Sequence, residues 1–224
     1  MPVATTRTKA SGARAIGSRP AETTGPIAKQ RRSQITYNAL IETGFRLMQT
    51  RDFDSISIAE IAKEAGYSVG AFYARFENKE EFFRAMVQRH NGERRKGMDR
   101  FFKGTKADDL VAKYVQMTVK RIWRTRFFWR AALRRSLDDQ NFWEPFRQLS
   151  HRVADKFIAA KSAEIGRKLT RTEEMNIRFA LQIVLGTINN SVTNRPGPLM
   201  LEHRDFQKRL IEAFQLISRY DEIR

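Results

Sequence analysis

The chain has 224 residues and a formal net charge of +17 at pH 7. Hydrophobic residues make up 41% of the sequence and charged residues 30%, a balance typical of a globular protein rather than of a disordered chain. The absence of cysteine excludes disulfides, thiolate zinc ligands and cysteine nucleophiles, and the three histidines are too widely separated for a His-rich metal site, so we expect neither a metal nor a cofactor.

No stretch of the sequence approaches the roughly 18 apolar residues of a transmembrane helix, and the basic N-terminus lacks the apolar segment of a secretory signal. We therefore expect a cytoplasmic, nucleoid-associated protein with no membrane partner. Most of the excess positive charge lies in residues 91–171. A basic protein suits a polyanion such as DNA, but its total charge does not locate the binding site.

Residues 1–28 contain three prolines and show no apolar periodicity, which predicts a disordered basic arm. Two interpretations remain open: an arm that follows a DNA backbone, and a solvated terminus without a partner. From Lys29 onward, apolar residues recur at helical spacing, beginning with Ile35 and continuing to Met48. This pattern predicts a first helix that ends near Thr50.

Three short segments then carry helix-start signals. Ser57 precedes an apolar run and is followed three residues later by Glu60, as in a capping box. Gly66 is suited to end that helix because glycine tolerates a positive φ. Ser68 is the predicted N-cap of a helix from Val69 to Phe76, and Asn78 opens a longer helix. Two short helices joined by a glycine-containing turn predict a helix-turn-helix.

The second of these short helices has two distinct faces. Phe72 and Phe76 are spaced to point into a core. The opposite face presents small or exposed side chains that would let the helix backbone approach base edges in a major groove, and its members are Val69, Gly70, Ala71 and Tyr73. The Tyr73 hydroxyl and the Lys79 ammonium are candidate phosphate contacts, although each is also consistent with an ordinary packing or surface residue.

Residues 32–89 resemble the DNA-binding domain of the TetR family of bacterial transcriptional regulators. The run that carries the resemblance is Ser57-Ile58-Ala59-Glu60-Ile61-Ala62, Ala65-Gly66-Tyr67-Ser68, Phe72-Tyr73, Phe76 and Asn78-Lys79-Glu80. The resemblance implies a homodimer that binds double-stranded DNA, with a C-terminal helical body that binds a small effector and dimerises through its last two helices. By position it implies phosphate contacts at Ser57, Tyr73 and Lys79, Ser68 at the start of the recognition helix, and base contacts from Val69, Gly70 and Ala71.

Helical patterning continues through residues 91–224 with no alternation that requires a sheet. We therefore predict an all-α protein with three segments: the arm (1–28), a helix-turn-helix head (29–90) and a helical effector-binding and dimerisation body (91–224).

Within the body, arginines alternate with aromatic residues around position 126. On an unbroken helix, Arg126 and Arg130 would share a sector with apolar residues, where a cation is costly unless an anion meets it. A helix break near Thr125 would change which residues share a face. One hypothesis is that they bind an anionic effector group; the alternative is internal pairing with Asp138, Asp139 or Glu144, or an extended side chain that reaches solvent. Aromatic candidates for the same pocket, which are equally suited to a core, are Trp123, Trp129, Phe142 and Trp143.

The last two helices supply the candidate dimer interface. On the first of them the candidates are Phe179, Ile183, Gly186, Thr187 and Asn190, and on the second Phe206, Leu210, Phe214 and Ile217. The pattern alone would also suit an ordinary core.

The function expected from these features is a ligand-responsive regulator, a repressor that binds a palindromic operator as a homodimer and is released by a small effector. The alternative is a DNA-bound adaptor whose helical body docks a protein partner; a buried apolar pocket would argue against it. No catalytic triad, phosphate loop or metal-ligand cluster is present in the sequence, and we do not expect an enzyme or any catalytic residue.

Overall fold

The computed structural model describes residues 26–224, and their side chains from residue 30 onward. These residues form helices and turns without a β-strand, which confirms the predicted all-α class. The helices are α1 (Pro26–Leu47), α2 (Ile58–Glu64), α3 (Val69–Tyr73), α4 (Lys79–Gly104), α5 (Leu110–Arg124), α6 (Arg126–Asp138), α7 (Glu144–Ile165), α8 (Arg171–Thr193) and α9 (Arg204–Ser218).

The chain divides into two compact units, residues 1–35 and residues 36–224. In the first unit, residues 26–35 are the beginning of α1, and Ile35 is 54% exposed, so this member of the predicted apolar stripe is not part of the core. The predicted arm is corrected at its end, because residues 26–28 are helical. Its remainder, residues 1–25, lies outside the described residues.

Within the second unit, three helices begin where the sequence predicted. The side chains of Ser57, Ser68 and Asn78 each accept a hydrogen bond from the backbone N–H three residues further on, at 3.1, 3.1 and 2.9 Å. Each bond satisfies one N–H group that the first turn of a helix leaves without an intrahelical partner. Gly66 ends α2 with a φ of 78°, which a residue with a Cβ adopts only at a cost.

An aromatic cluster holds α3 in place. The rings of Phe72, Phe76 and Phe82 lie 5.0–5.2 Å apart, and all three side chains are buried. Burial of one such ring stabilises the fold by about 1.5–3 kcal/mol. Because α3 has five residues and ends at Tyr73, shorter than the predicted helix to Phe76, it depends on this packing rather than on helix propensity.

The body is built from α5–α9 and the second half of α4. An aromatic group at its centre joins α5, α7 and α9: the Phe157 ring lies 5.2 Å from Tyr114 and 5.5 Å from Phe214. Within residues 26–224, no helix combines the length with the apolarity that crossing a lipid bilayer requires. The predicted boundary between residues 90 and 91 falls inside α4, so the division into head and body stays a proposal.

The helix break near Thr125, which the sequence left open, is present in the structure. α5 ends at Arg124, and the Thr125 hydroxyl donates to the carbonyl oxygen of Arg121 at 3.0 Å before α6 begins at Arg126. A face assigned on an unbroken helix therefore does not extend from α5 to α6, and this affects the predicted positions of the arginines.

Candidate functional site

Helix α3 presents one buried and one exposed face. Phe72 is fully buried, whereas Val69 and Tyr73 are 40% and 53% exposed. Gly70, between them in sequence, is exposed as well, and Ala71 is half-buried. The predicted recognition residues are therefore together on a helix whose outer surface carries small side chains in its first turn, followed by the exposed Tyr73. Such a surface lets a helix backbone approach a nucleic-acid groove closely.

Gly70 has no packing reason to be a glycine. A Cβ built at this position meets nothing closer than the Ser68 Oγ at 3.7 Å, which is ordinary contact. At Gly44 the situation is the reverse: a Cβ there would lie 2.8 Å from the Phe82 Cζ. The first glycine is thus compatible with an approaching partner, and the second with close packing of α1 on α4.

The three polar candidates around α3 have different surroundings. Ser57 and Ser68 are exposed caps whose hydroxyls already accept from the helix backbone. The Lys79 Nζ donates to the carbonyl oxygen of Asp54 at 3.1 Å and lies 4.7 Å from the centre of the Phe53 ring. Burial lowers the pKa of Lys79, and the Asp54 carboxylate opposes that shift. Lys79 is therefore positioned on the turn before α2 rather than extended into solvent.

An ion-pair group connects α6 to this turn and to the start of α4. Arg135 donates to Glu80 and to Asp54, at 2.6 and 3.0 Å. Arg134 contacts Asp52 at 3.2 Å. Burial raises the pKa of Asp54, but the hydrogen bond and charge of Arg135, aided by Arg134 and Lys79, outweigh it, so that the pKa lies below its usual value.

The structure corrects the prediction for Arg130. Its guanidinium faces Asp52 at 3.8 Å and so pairs internally, with a partner that the sequence did not indicate. Arg126 instead lies over the rings of Trp123 and Phe127, 4.7 Å from each centre, and donates to the Trp123 carbonyl oxygen at 3.2 Å. Because the helix breaks at Thr125, these two arginines on α6 do not share a face with the apolar residues of α5.

Two cavities contain the remaining effector candidates. A first cavity of about 910 Å³ lies between α1, α4 and the junction of α5 with α6, and its wall includes Trp123 and Arg126. Two of its arginines have carboxylate neighbours: Arg46 pairs with Glu64, and Arg89 pairs with Glu93 and lies 3.9 Å from Glu42. Arg126 lines the same cavity without an ion pair among the described residues, so this polar recess is compensated only in part.

A second cavity of about 570 Å³ is enclosed by α4–α8, and its wall includes Trp129 and Trp143. Its volume is in the range of small-molecule sites. Most of the remaining wall is apolar and comes from α7 and α8. The Trp129 Nε1 donates to the Asn189 Oδ1 at 2.8 Å, which orients one ring of the wall. Phe142 is outside both cavities; it stacks on Phe83, 6.0 Å between ring centres, and is corrected to a core residue.

The second cavity also contains residues that the sequence did not single out. Arg94 and Tyr114 line it, and both side chains are buried. A signal was present, since Arg94 occupies a position on α4 in register with the buried residues Val87, His90 and Met98. A charged residue on an apolar face could have been identified from this spacing.

The candidate dimer residues separate into two groups. On α8, Phe179 and Ile183 are 48% and 36% exposed, and Gly186, Thr187 and Asn190 are exposed beside them. On α9, Phe206, Leu210 and Phe214 are at most 5% exposed and pack inside the body, so the prediction that they form a dimer interface is corrected. Ile217 is half-buried, and the exposed apolar residue of α9 is Leu216, at 81%.

The fold and the α2–α3 arrangement define an all-α protein with a helix-turn-helix. Residues 40–86 match the model of the family described as bacterial regulatory proteins, tetR family. The expected resemblance is confirmed: this segment is similar to the DNA-binding segment of that family.

Individual relatives agree with this assignment. Over 60 residues the chain is 33% identical to the uncharacterized HTH-type transcriptional regulator YwcC of Bacillus subtilis (strain 168), a match that spans 27% of each chain. The fold is similar to that of the transcriptional regulator FadR from Bacillus subtilis in complex with stearoyl-CoA, with 19% identity, a TM-score of 0.60, and 81% and 98% of the two chains covered. A tetR-family regulator from Streptomyces coelicolor has 19% identity, a TM-score of 0.61, and 84% of both chains covered.

Proposed function

We propose that the chain is a ligand-responsive transcriptional repressor that binds a palindromic operator as a homodimer and is released by a small-molecule effector. The observation that carries the proposal is the outer face of α3, where Val69, Gly70 and Tyr73 are exposed on a helix fixed by a buried aromatic cluster. The match of residues 40–86 to a family of DNA-binding regulators supports the same assignment.

In this proposal Val69, Gly70 and Ala71 face the bases, and Ser68 begins the recognition helix. The Tyr73 hydroxyl, the Ser57 cap and the Lys79 ammonium contact phosphates, which set the position of α3 in the groove without reading sequence. Two copies of α3 must lie about 34–36 Å apart to enter successive major grooves. The exposed α8 residues Phe179 and Ile183 supply the proposed contact between the two copies.

The ligand-responsive part of the proposal rests on the second cavity. Its volume of about 570 Å³ and its apolar wall suit a small molecule. A structural neighbour with the same fold was solved with stearoyl-CoA, which supports an effector site in this kind of body. A ligand shifts the two protomers toward one state only if its affinity for the two states differs. The cavity disfavours the alternative of a DNA-bound adaptor, for which a filled body is expected.

The first experiment is selection of bound fragments from random duplex DNA, followed by a salt titration against scrambled competitor. The proposal expects a palindromic consensus that is bound in strong preference to the competitor. Lys79→Gln should lower the slope of log affinity against log salt by about 1, because one phosphate contact is lost. Lys208→Gln on α9 removes the same charge away from α3 and should leave the slope unchanged. Binding without sequence preference would contradict the proposal.

A further inference from the structure

Two arginines in the body lie close together without a carboxylate. Arg94 is 8% exposed, and its Nε is buried with no hydrogen-bond partner among the described residues. Burial lowers the pKa of Arg94 to about 10, and the positive charge of Arg121 on α5 contributes to that shift. Arg94 nevertheless remains a cation at neutral pH. Nothing in the described chain forms an ion pair with either arginine.

A buried cation without a counter-charge is costly, and proteins rarely retain one unless a partner supplies the opposite charge. The other arginines near the cavity do not share this condition. Arg147 pairs with Glu144 at 2.8 Å, and Arg178 with Asp155 at 2.7 Å. The uncompensated charge is therefore specific to the end of the cavity at α4 and α5.

Further polar groups adjoin the two arginines. Tyr114, Thr118 and Arg121 are spaced four and three residues apart on α5, which places them on one helix face. The hydroxyls of Tyr114 and Thr118 adjoin each other and form no hydrogen bond to any other group in residues 26–224. Buried polar groups normally have partners, so several unsatisfied ones at one place indicate a missing ligand.

The rest of the same cavity is suited to hydrocarbon. Its wall includes Trp129, Phe146, Val153 and Leu181, which are all buried, and half-buried Leu185. One end of the cavity is thus cationic and offers hydrogen-bond donors. The rest of the wall is mostly apolar and is interrupted by polar side chains, among them Ser150, Gln182 and Asn189. A molecule complementary to it has an anionic group at one end and an apolar body.

We infer that the effector is an amphipathic carboxylic acid whose carboxylate binds Arg94, with the positive charge of Arg121 adding to the attraction, and whose apolar body fills the cavity between α7 and α8. The inference rests on the proposed function, because it names the class of effector for that site. A guanidinium can donate to both oxygens of a carboxylate, which gives orientation as well as affinity. The Tyr114 hydroxyl is available as a further donor to the same group.

The experiment measures binding of two acids and of their neutral analogues to the full-length protein without DNA. The pairs are dodecanoate with dodecan-1-ol and 2-naphthoate with 2-naphthylmethanol, titrated in 0.3 M NaCl to suppress attraction to the basic surface. Tryptophan fluorescence reports occupancy, because Trp129 and Trp143 line the cavity. In at least one pair the acid should bind about tenfold or more tightly than the alcohol, as expected for a charged hydrogen bond in a buried site.

The matched variants are Arg94→Met and Arg100→Met, which remove the same charge from a buried and an exposed position of α4. Arg94→Met should lose the preference for the acid and should melt at the same temperature as the wild type or higher, since an uncompensated charge is removed. A merely structural arginine would lower the melting temperature on substitution. Arg100→Met should keep the preference. Arg121→Met should weaken acid binding too, and it serves as the test if Arg94→Met does not fold.

Equal binding of acid and alcohol in both pairs, including no binding of either, would overturn the inference. A preference for the acid that survives both Arg94→Met and Arg121→Met would also overturn it. Because the titration contains no DNA, its outcome is separate from operator selection. If the protein selects a palindrome but shows no preference for acids, only this inference is wrong. If it prefers acids but selects no operator, the proposed regulatory function is wrong.

Discussion

Arg135 on α6 and Glu80 at the start of α4 form a two-point ion pair, in which the guanidinium Nε and Nη2 each donate to one carboxylate oxygen at 2.6 Å. The same guanidinium lies 4.7 Å from the centre of the Phe83 ring. The pair thus connects the body helix that follows the break at Thr125 to the helix that follows α3. A change in the position of α6 is therefore expected to displace the first turn of α4.

Substitution of Arg135 tests how much this connection stabilises the fold. Arg135→Met keeps most of the aliphatic contact and removes the ion pairs. We expect the free energy of unfolding to fall by about 1–2 kcal/mol. The effect is of this size because the guanidinium is largely buried whereas its carboxylate partners are exposed. Arg134→Met, at a side chain that is 45% exposed, should cost less than about 0.5 kcal/mol. Urea unfolding measures both. Equal losses would contradict the special position of Arg135.

The two glycines near α3 and α4 should respond in opposite ways to alanine. Gly70→Ala should raise the free energy of unfolding by up to about 1 kcal/mol, since alanine is the better helix former and its Cβ has space. The same change should weaken operator binding, because the Cβ would stand between α3 and the groove. Gly44→Ala should lower stability by about 1–3 kcal/mol through its contact with Phe82.

Thermal unfolding and operator titration of the two glycine variants separate these effects. The expected result is a stable Gly70→Ala protein with reduced DNA affinity. If Gly70→Ala binds the selected operator as tightly as the wild type does, α3 does not approach the DNA through this position.

The proposed dimer contact is tested on α8. Phe179→Asp places a charge in an apolar surface that a partner is proposed to cover, and desolvation of that charge opposes association. We expect the variant to sediment as a monomer at micromolar concentration, with its helix content unchanged. Leu137→Asp on α6 alters an 82% exposed residue outside the proposed contact and should sediment like the wild type. Dimers of Phe179→Asp would point to a contact elsewhere.

His90 is expected to make the free energy of unfolding depend on pH in the acidic range. Burial, together with the positive charges of Arg94 and Arg121, lowers the pKa of His90 from 6.5 to about 3. As the pH falls, the His90 imidazole is therefore protonated in the unfolded chain before it is protonated in the folded protein. The contribution of His90 to the free energy of unfolding is fully present above pH 6.5 and is lost as the pH falls toward 3. His90 contributes at most about 1.4 kcal/mol per pH unit to the slope of unfolding free energy against pH.

His90→Phe should flatten the dependence of unfolding free energy on pH between about pH 6 and pH 4, as measured by urea unfolding. Phenylalanine suits the position because the imidazole lies 4.7 Å from the Phe128 ring. His151→Phe, which removes an exposed imidazole from α7, is the matched control. Parallel pH curves for the wild type and His90→Phe would show that His90 is not the residue responsible.

The all-α class and the helix starts at Ser57, Ser68 and Asn78 could be predicted from local sequence. These features depend on hydrogen bonds between groups three residues apart, so a few neighbouring residues contain all the information they need. The turn at Gly66 follows for the same reason, since its positive φ is a property of one residue. The exposed and buried faces of α3 were also predicted, because one helical period determines them.

The partners of the charged side chains, by contrast, depend on how the helices pack. Arg134 contacts Asp52 across 82 residues of sequence, and no local pattern specifies such a pair. The break at Thr125 redirected Arg126 and Arg130, and packing against α5 and α8 placed the apolar face of α9 inside the body. Burial and ion pairing are properties of residues that meet in space. The uncompensated charge of Arg94 therefore became visible only when the helices around it were in position.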